Sequence, residues 1–178
     1  MKKIRVFLFE SSVEDQNKER GETNEDNTVP FPIGILYLDS VLRNNGFEVL
    51  TKDYTAWNEE HCLKEIEREI RRFEPDVVGI SVMTMTRIST FKAIRLIKKI
   101  NPDIKIILGG IHASVMHEQI LKNFEVDAIT IGEADKNIVQ LINNLIKNKS
   151  LKKIKGIAFK ERDKIIKTEK IELSRDID

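Results

Sequence analysis

Apolar residues along this chain fall into two rhythms that take turns. Ile4 to Phe9 is an almost unbroken apolar run, the pattern of a strand buried on both faces. Pro30 and Pro32 then precede Ile33, Leu36, Tyr37, Val41 and Leu42, which share one helical face, and Gly46 supplies a stop. Phe47 to Leu50 predicts a second strand. Leu63, Ile66, Ile70 and Phe73 stripe a helix ended by Pro75, and Asp76 to Ile80 predicts a third strand. Phe91, Ile94, Ile97 and Ile100 mark a helix closed by Asn101-Pro102, followed by a fourth strand from Ile104 to Leu108. A short helix ends near Ile120, Leu121 and Phe124, Val126 to Ile131 forms a fifth strand, and Ile138, Leu141, Ile142 and Leu145 have the spacing of a packed helix.

Strands alternating with helices in this way predict an α/β fold, a parallel sheet covered on both sides by right-handed crossovers. The expected architecture is the flavodoxin-like (Rossmann-like) three-layer sandwich with five strands in the order 2-1-3-4-5, whose switch point lies between strands one and three. The end of the chain breaks the rhythm. Ile154 to Lys160 and Ile165 to Lys167 flank a polar turn and predict a β-hairpin. The organisation expected is an α/β domain over 1–149, a hairpin extension over 150–171, and a linker over 172–178 leading toward a further domain.

Composition narrows the class. The chain has 178 residues, 40% hydrophobic and 33% charged, enough apolar material for a sizeable core. A formal charge of +1 gives no electrostatic reason to bind nucleic acid, and the basic stretch lacks interleaved aromatics. Charge is uneven locally: residues 14 to 26 carry six acids against two bases, and residues 149 to 170 carry nine bases against three acids. The first predicts a solvated loop, unusually long for a strand-to-helix connection, and the second a basic outer face. With no membrane-spanning run and no secretory leader, a cytoplasmic protein is expected. Cys62 is the only cysteine, so the chain cannot supply the thiolates of an iron-sulfur cluster.

In an open parallel sheet the ligand sits outside the carboxyl ends of the strands. The connections that meet there are the loop from Glu10 to Phe31, Ser81-Val82-Met83-Thr84-Met85-Thr86, Gly109-Gly110-Ile111-His112, and Gly132-Glu133-Ala134-Asp135. Ser81, Thr84 and Thr86 offer uncharged hydroxyls, although Ser81 and Thr86 equally suit loop closure or a helix cap. Met83 and Met85 suit a large apolar ring surface or loop packing. Gly109 and Gly110, directly behind a buried strand, predict close approach of a ligand or a neighbouring element. His112 has three readings: a contact to ligand or loop, a structural role, or metal ligation, which lacks a partner at metal-site spacing. Glu133, expected at the start of the last long helix, suits unsatisfied backbone donors or a ligand hydroxyl. Asp135 and Asp127 read as caps or solvent-facing acids.

Neither G-x-G-x-x-G after the first strand nor G-x-x-x-x-G-K-[ST] occurs, and no nucleophile triad or H-E-x-x-H is present. A phospho-acceptor layout is also missing, because Glu10 is the only acid at the end of the first strand.

Pro32-Ile33-Gly34-Ile35-Leu36-Tyr37-Leu38, Asp76 to Ser81, Gly109-Gly110-Ile111-His112-Ala113-Ser114 and Asp127 to Asp135 occur in an order that resembles a known family. This is the amino-terminal cobalamin-binding domain of cobalamin-dependent radical SAM enzymes, a group that includes the anaerobic magnesium-protoporphyrin IX monomethyl ester oxidative cyclase and many methyltransferases. The resemblance implies a cobalamin cofactor, with Ser81 and Thr84 near its nucleotide tail and Gly109 and Gly110 making room for it. Gly132 and Glu133 would border the same cleft, and the corrin would rest near Met83 and the stretch from Pro30 to Ile33. His112 lies beside this site. S-adenosylmethionine and a 4Fe-4S cluster would belong to a following radical SAM barrel, since Cys-x-x-x-Cys-x-x-Cys is missing here. The Asp-x-His-x-x-Gly of many cobalamin proteins is also missing, so no lower cobalt ligand, metal ligand or catalytic residue is assigned. Two other readings stay open: a docking domain that binds no cobalamin, and a small nucleotide or sugar-phosphate enzyme.

Overall fold

The order of strands explains where a ligand can enter. In the computed structural model, which describes residues 3–13 and 32–171, β1 (Arg5–Glu10) lies between β2 (Glu48–Asp53) and β3 (Val77–Ser81), with β4 (Lys105–Gly109) and β5 (Ala128–Thr130) following. These five pair in parallel in the order 2-1-3-4-5. The sheet does not stop there, however. β6 (Ile157–Glu161) and β7 (Lys164–Lys167) form the expected hairpin, but β6 pairs antiparallel with β5, so the sheet has seven strands rather than five with a separate extension. β5 has only three residues, and Ile157, Ala158 and Phe159 bury themselves against its open edge. The acidic connection of residues 14–26, Pro30 and the 172–178 tail lie outside the described residues.

Side-chain alternation along the strands builds two cores. Phe7, Phe9, Val78, Ile80, Ile106 and Leu108 point to one face and pack against α2 (Glu59–Phe73), α3 (Arg87–Ile100), α4 (Ile111–Val115) and α5 (His117–Asn123). Val6, Leu8, Val77, Ile107 and Ala128 point to the other and meet Ile35 and Leu42 of α1 (Ile33–Asn44) with Ile138, Leu141 and Ile142 of α6 (Ile138–Ile146). Among the described residues the second layer has two helices where the first has four, and a cavity lies between α1 and α6. Among the described residues no helix is long and apolar enough to cross a membrane.

Aspartates tie the amino ends of the strands together. Asp76 Oδ2 accepts from the Arg5 backbone N–H at 2.7 Å, and Asp127 Oδ2 accepts from that of Ile106 at 2.8 Å. Asp127 also pairs with Lys98 at 3.6 Å and Lys105 at 3.4 Å, so its place is structural and remote from the ligand edge. The region after β4 holds two short helices, α4 and α5, where the sequence pattern marks one. Gly132 to Lys136 forms an irregular connection and α6 begins only at Ile138, so Glu133 is not at the helix start as expected. The helix waits for its apolar stripe, and Asn137 Nδ2 donates to the Lys155 carbonyl at 2.9 Å just before it, anchoring the connection to the hairpin.

Candidate functional site

Parallel pairing sets residues from different strands side by side and on one face. At the carboxyl edge the register aligns Asp53, Glu10, Ser81 and Gly109 across β2, β1, β3 and β4, and the β4–β5 register continues the row to Thr130. Two residues earlier the same face carries Leu8, Gly79, Ile107 and Ala128. The floor is therefore apolar and twice lacks a side chain, while the ledge above it is polar.

These rows bound a cavity of about 450 Å³, within the usual range for small-ligand sites. Leu8, Gly79, Ile107 and Gly109 form its floor. Ile35, Tyr37 and Leu38 of α1 form one wall, and Ile138 of α6 with Ala134 forms the other. Ser81, Ser114, Thr130, Gly132, Glu133 and Asp135 ring the opening. Among them only Glu133 and Asp135 are ionisable, and Asp135 Oδ1 is buried with no hydrogen-bond partner among the described residues. Such an atom calls for a donor from whatever fills the slot.

The paired glycines divide their labour. At Gly109 a Cβ would lie 2.9 Å from Thr130 Oγ1, so the space above the strand exists because no side chain is there. Gly110 has φ +88°, and its Cβ would meet the Val82 carbonyl oxygen at 2.8 Å. The second glycine thus lets two loops touch, as the backbone bonds Val82 N–H to Gly109 O at 2.9 Å and His112 N–H to Val82 O at 3.1 Å record. Gly132, at φ +78°, turns the chain beside the slot, and its N–H donates to Ser114 Oγ at 3.4 Å.

Of the hydroxyls after β3, Ser81 lines the slot. Thr86 is fully buried and closes its own loop, accepting from Met83 N–H at 3.0 Å and donating to Met83 O at 3.2 Å. Thr84, Met83 and Met85 stand on the exposed rim outside the slot. His112 is there as well: its Nδ1 is 3.2 Å from Thr84 Oγ1 and its ring tilts toward Phe91 at 6.5 Å. Partial burial, together with the Arg87 charge, pushes the His112 pKa down, so the imidazole is neutral near pH 7. Among the described residues no cluster of three His, Cys, Asp or Glu side chains suits a metal ion.

Sequence reasoning missed Gly79, Thr130 and Glu10. A glycine inside a strand is the signal that marks Gly79. Thr130 is apparent only from the register, and Glu10 only from its neighbours in the row.

A mostly parallel sheet with an apolar, glycine-floored slot at its carboxyl edge, beside the switch point, has the form of a ligand-binding α/β domain. The chain belongs to the B12-binding domain family, whose model matches residues 24–142.

An uncharacterized methyltransferase of Pyrococcus horikoshii is 30% identical over 135 residues, covering 75% of this chain and 29% of that protein. The anaerobic magnesium-protoporphyrin IX monomethyl ester cyclase of Rubrivivax gelatinosus is 28% identical over 143 residues, covering 77% of this chain and 25% of that protein. The chain thus spans less than a third of the length of either curated relative. Among solved structures, the cobalamin-dependent S-adenosylmethionine radical enzyme OxsB, with aqua-cobalamin and S-adenosylmethionine bound, superposes with a TM-score of 0.77 at 21% identity. That match covers 97% of this chain and 23% of OxsB, and it establishes the shared fold.

Proposed function

We propose that this chain holds cobalamin with the nucleotide tail in the slot between α1 and α6 and the corrin across the exposed rim above it. The slot itself carries the reading: its floor is apolar and uncharged, and Gly79 and Gly109 keep it open beneath a ledge of hydroxyls. Ser81, Gly109, Gly132 and Glu133 would touch the tail, with Gly110 holding the loop geometry. Met83, Thr84 and His112 would lie nearer the corrin edge. Their rim positions support that division, as does the exposure of Ile33, Tyr37, Met83, Met85 and Ile111 around the opening. Asp135 Oδ1 would receive a donor from the ligand, for which cobalamin's amide and hydroxyl groups are suited.

Cobalamin, when bound, supplies organocobalt chemistry; the residues described here bind and orient it. The full-length protein would join this module to a radical SAM barrel carrying S-adenosylmethionine and a 4Fe-4S cluster, and would perform methyl transfer or oxidative cyclisation in the cytoplasm. The relatives' greater length supports a further domain. Cys62, the sole cysteine, is buried and supports placing the cluster outside this chain.

Incubating the protein with hydroxocobalamin, desalting it and recording a visible spectrum tests the reading. Near-equimolar retained cofactor is expected; folded protein that emerges colourless would make it a docking domain instead.

A further inference from the structure

Glu10 closes β1 at the switch point, in register with Ser81, and only 2% of its surface is exposed. Its side chain lies on the face that carries Leu8 and the slot floor. Ser81, which hydrogen-bonds it, stands between it and the slot. Carboxyl oxygen Oε1 has no hydrogen-bond partner among the described residues. Nearby hydroxyls are engaged elsewhere, Ser12 with Ser89 at 2.9 Å and Ser11 with Thr90 at 3.3 Å.

We infer that Glu10 is a positioning residue for the slot: its carboxyl takes up a proton when ligand enters, keeps it while donating a hydrogen bond through it to Ser81 Oγ, and so turns the Ser81 hydroxyl hydrogen toward the ligand. This rests on the cobalamin reading. An ionised Glu10 would instead accept the Ser81 proton and leave only lone pairs facing the slot. The carboxyl therefore sets which partner Ser81 accepts.

The free protein is poised for this change. Burial, only partly offset by the Ser81 bond and reinforced by the Asp53 charge, pushes the Glu10 pKa up to about 7. Asp53 is the charged neighbour on β2, where its Oδ1 accepts from Thr55 N–H and Oγ1. The charged groups of α1 offset each other, with Asp39 and Arg43 paired at 2.7 Å. A ligand that expels water from the slot disfavours the carboxylate further and raises the pKa in the complex. By linkage the complex then holds more protons than the free chain, so affinity is greatest at low pH and falls as pH rises through 7.

Methylcobalamin, whose upper ligand does not titrate, is the probe, with affinity measured from pH 6 to 8.5. The wild type should weaken about tenfold across that range, while Glu10→Gln, neutral at every pH, should stay within about twofold. Calorimetry of the wild type in two buffers of different ionisation enthalpy gives a reading that needs no variant. Uptake of about half a proton at pH 7.5 is expected. Binding with no proton uptake, or the same pH profile in Glu10→Gln, overturns the role of Glu10 and leaves the cobalamin reading intact. No binding at any pH removes both.

Discussion

Replacing Gly109 by valine should weaken cobalamin binding at least about hundredfold while the domain remains folded. The backbone at Gly109 is ordinary strand and accepts valine without a left-handed conformation. Its Cβ would arrive 2.9 Å from Thr130 Oγ1, which displaces Thr130 or drives the valine methyls into the slot. Either way the volume above the floor is lost. A flat aromatic or sugar group cannot share that space, and overpacking of a closed site costs about 1–3 kcal/mol even where neighbours can yield. Gly79 is a weaker position for the same test, because a Cβ there would meet only the mobile end of Leu8, Cδ2, at 2.6 Å. Titration of cobalamin against wild type and Gly109→Val, with circular dichroism to verify folding, gives the answer. A folded variant that binds as tightly as the wild type would mean the ligand does not use the slot.

Truncating Phe9 to alanine should cost about 3–5 kcal/mol of stability, a large fraction of the roughly 5–15 kcal/mol that holds a domain together. Phe9 is fully buried on the face opposite the slot, 5.0 Å from the Phe7 ring and 5.9 Å edge-on to Tyr54. The central strand and the helices over it leave little freedom to collapse around the missing ring. Urea denaturation should show a lower midpoint with an unchanged slope, since the surface exposed on unfolding stays nearly the same. A loss below 1 kcal/mol would show that this core relaxes around the deletion. Because Phe9 points away from the cavity, any variant that stays folded should still bind cobalamin.

Much of this architecture is readable from the chain because its apolar blocks differ in period. The stripe Ile138, Leu141, Ile142 is buried as expected, and Val77 to Ile80 is a strand. The order 2-1-3-4-5 is the flavodoxin-like arrangement expected for such units, and the five parallel strands adopt it, although periodicity alone does not fix it. The hairpin's junction with β5 is not readable, because two short apolar runs do not say which edge they will cover. Glu133 was misplaced for a related reason: a Gly-Glu pair before a periodic stripe resembles a helix start, whereas contact with the hairpin delays the helix to Ile138.

At the site, the glycines and Ser81 could be singled out by local sequence, but their separate tasks depend on tertiary contacts. Nothing local says that Gly110 exists for the Val82 backbone while Gly109 leaves the floor open. Thr84 and Met83 follow a strand end yet finish on the rim, in the tight loop that Thr86 closes, and His112 at the start of α4 meets Thr84 there. Glu10 had no partner in sequence to mark it; only the parallel register sets it beside Ser81.

A crystal structure of the chain soaked with cobalamin tests the central claim most directly. The account predicts density for the nucleotide tail between α1 and α6, over Gly79 and Gly109 and within reach of Ser81 and Asp135. A cofactor whose tail stays outside, with Ile35 and Ile138 closed over an empty floor, would contradict it.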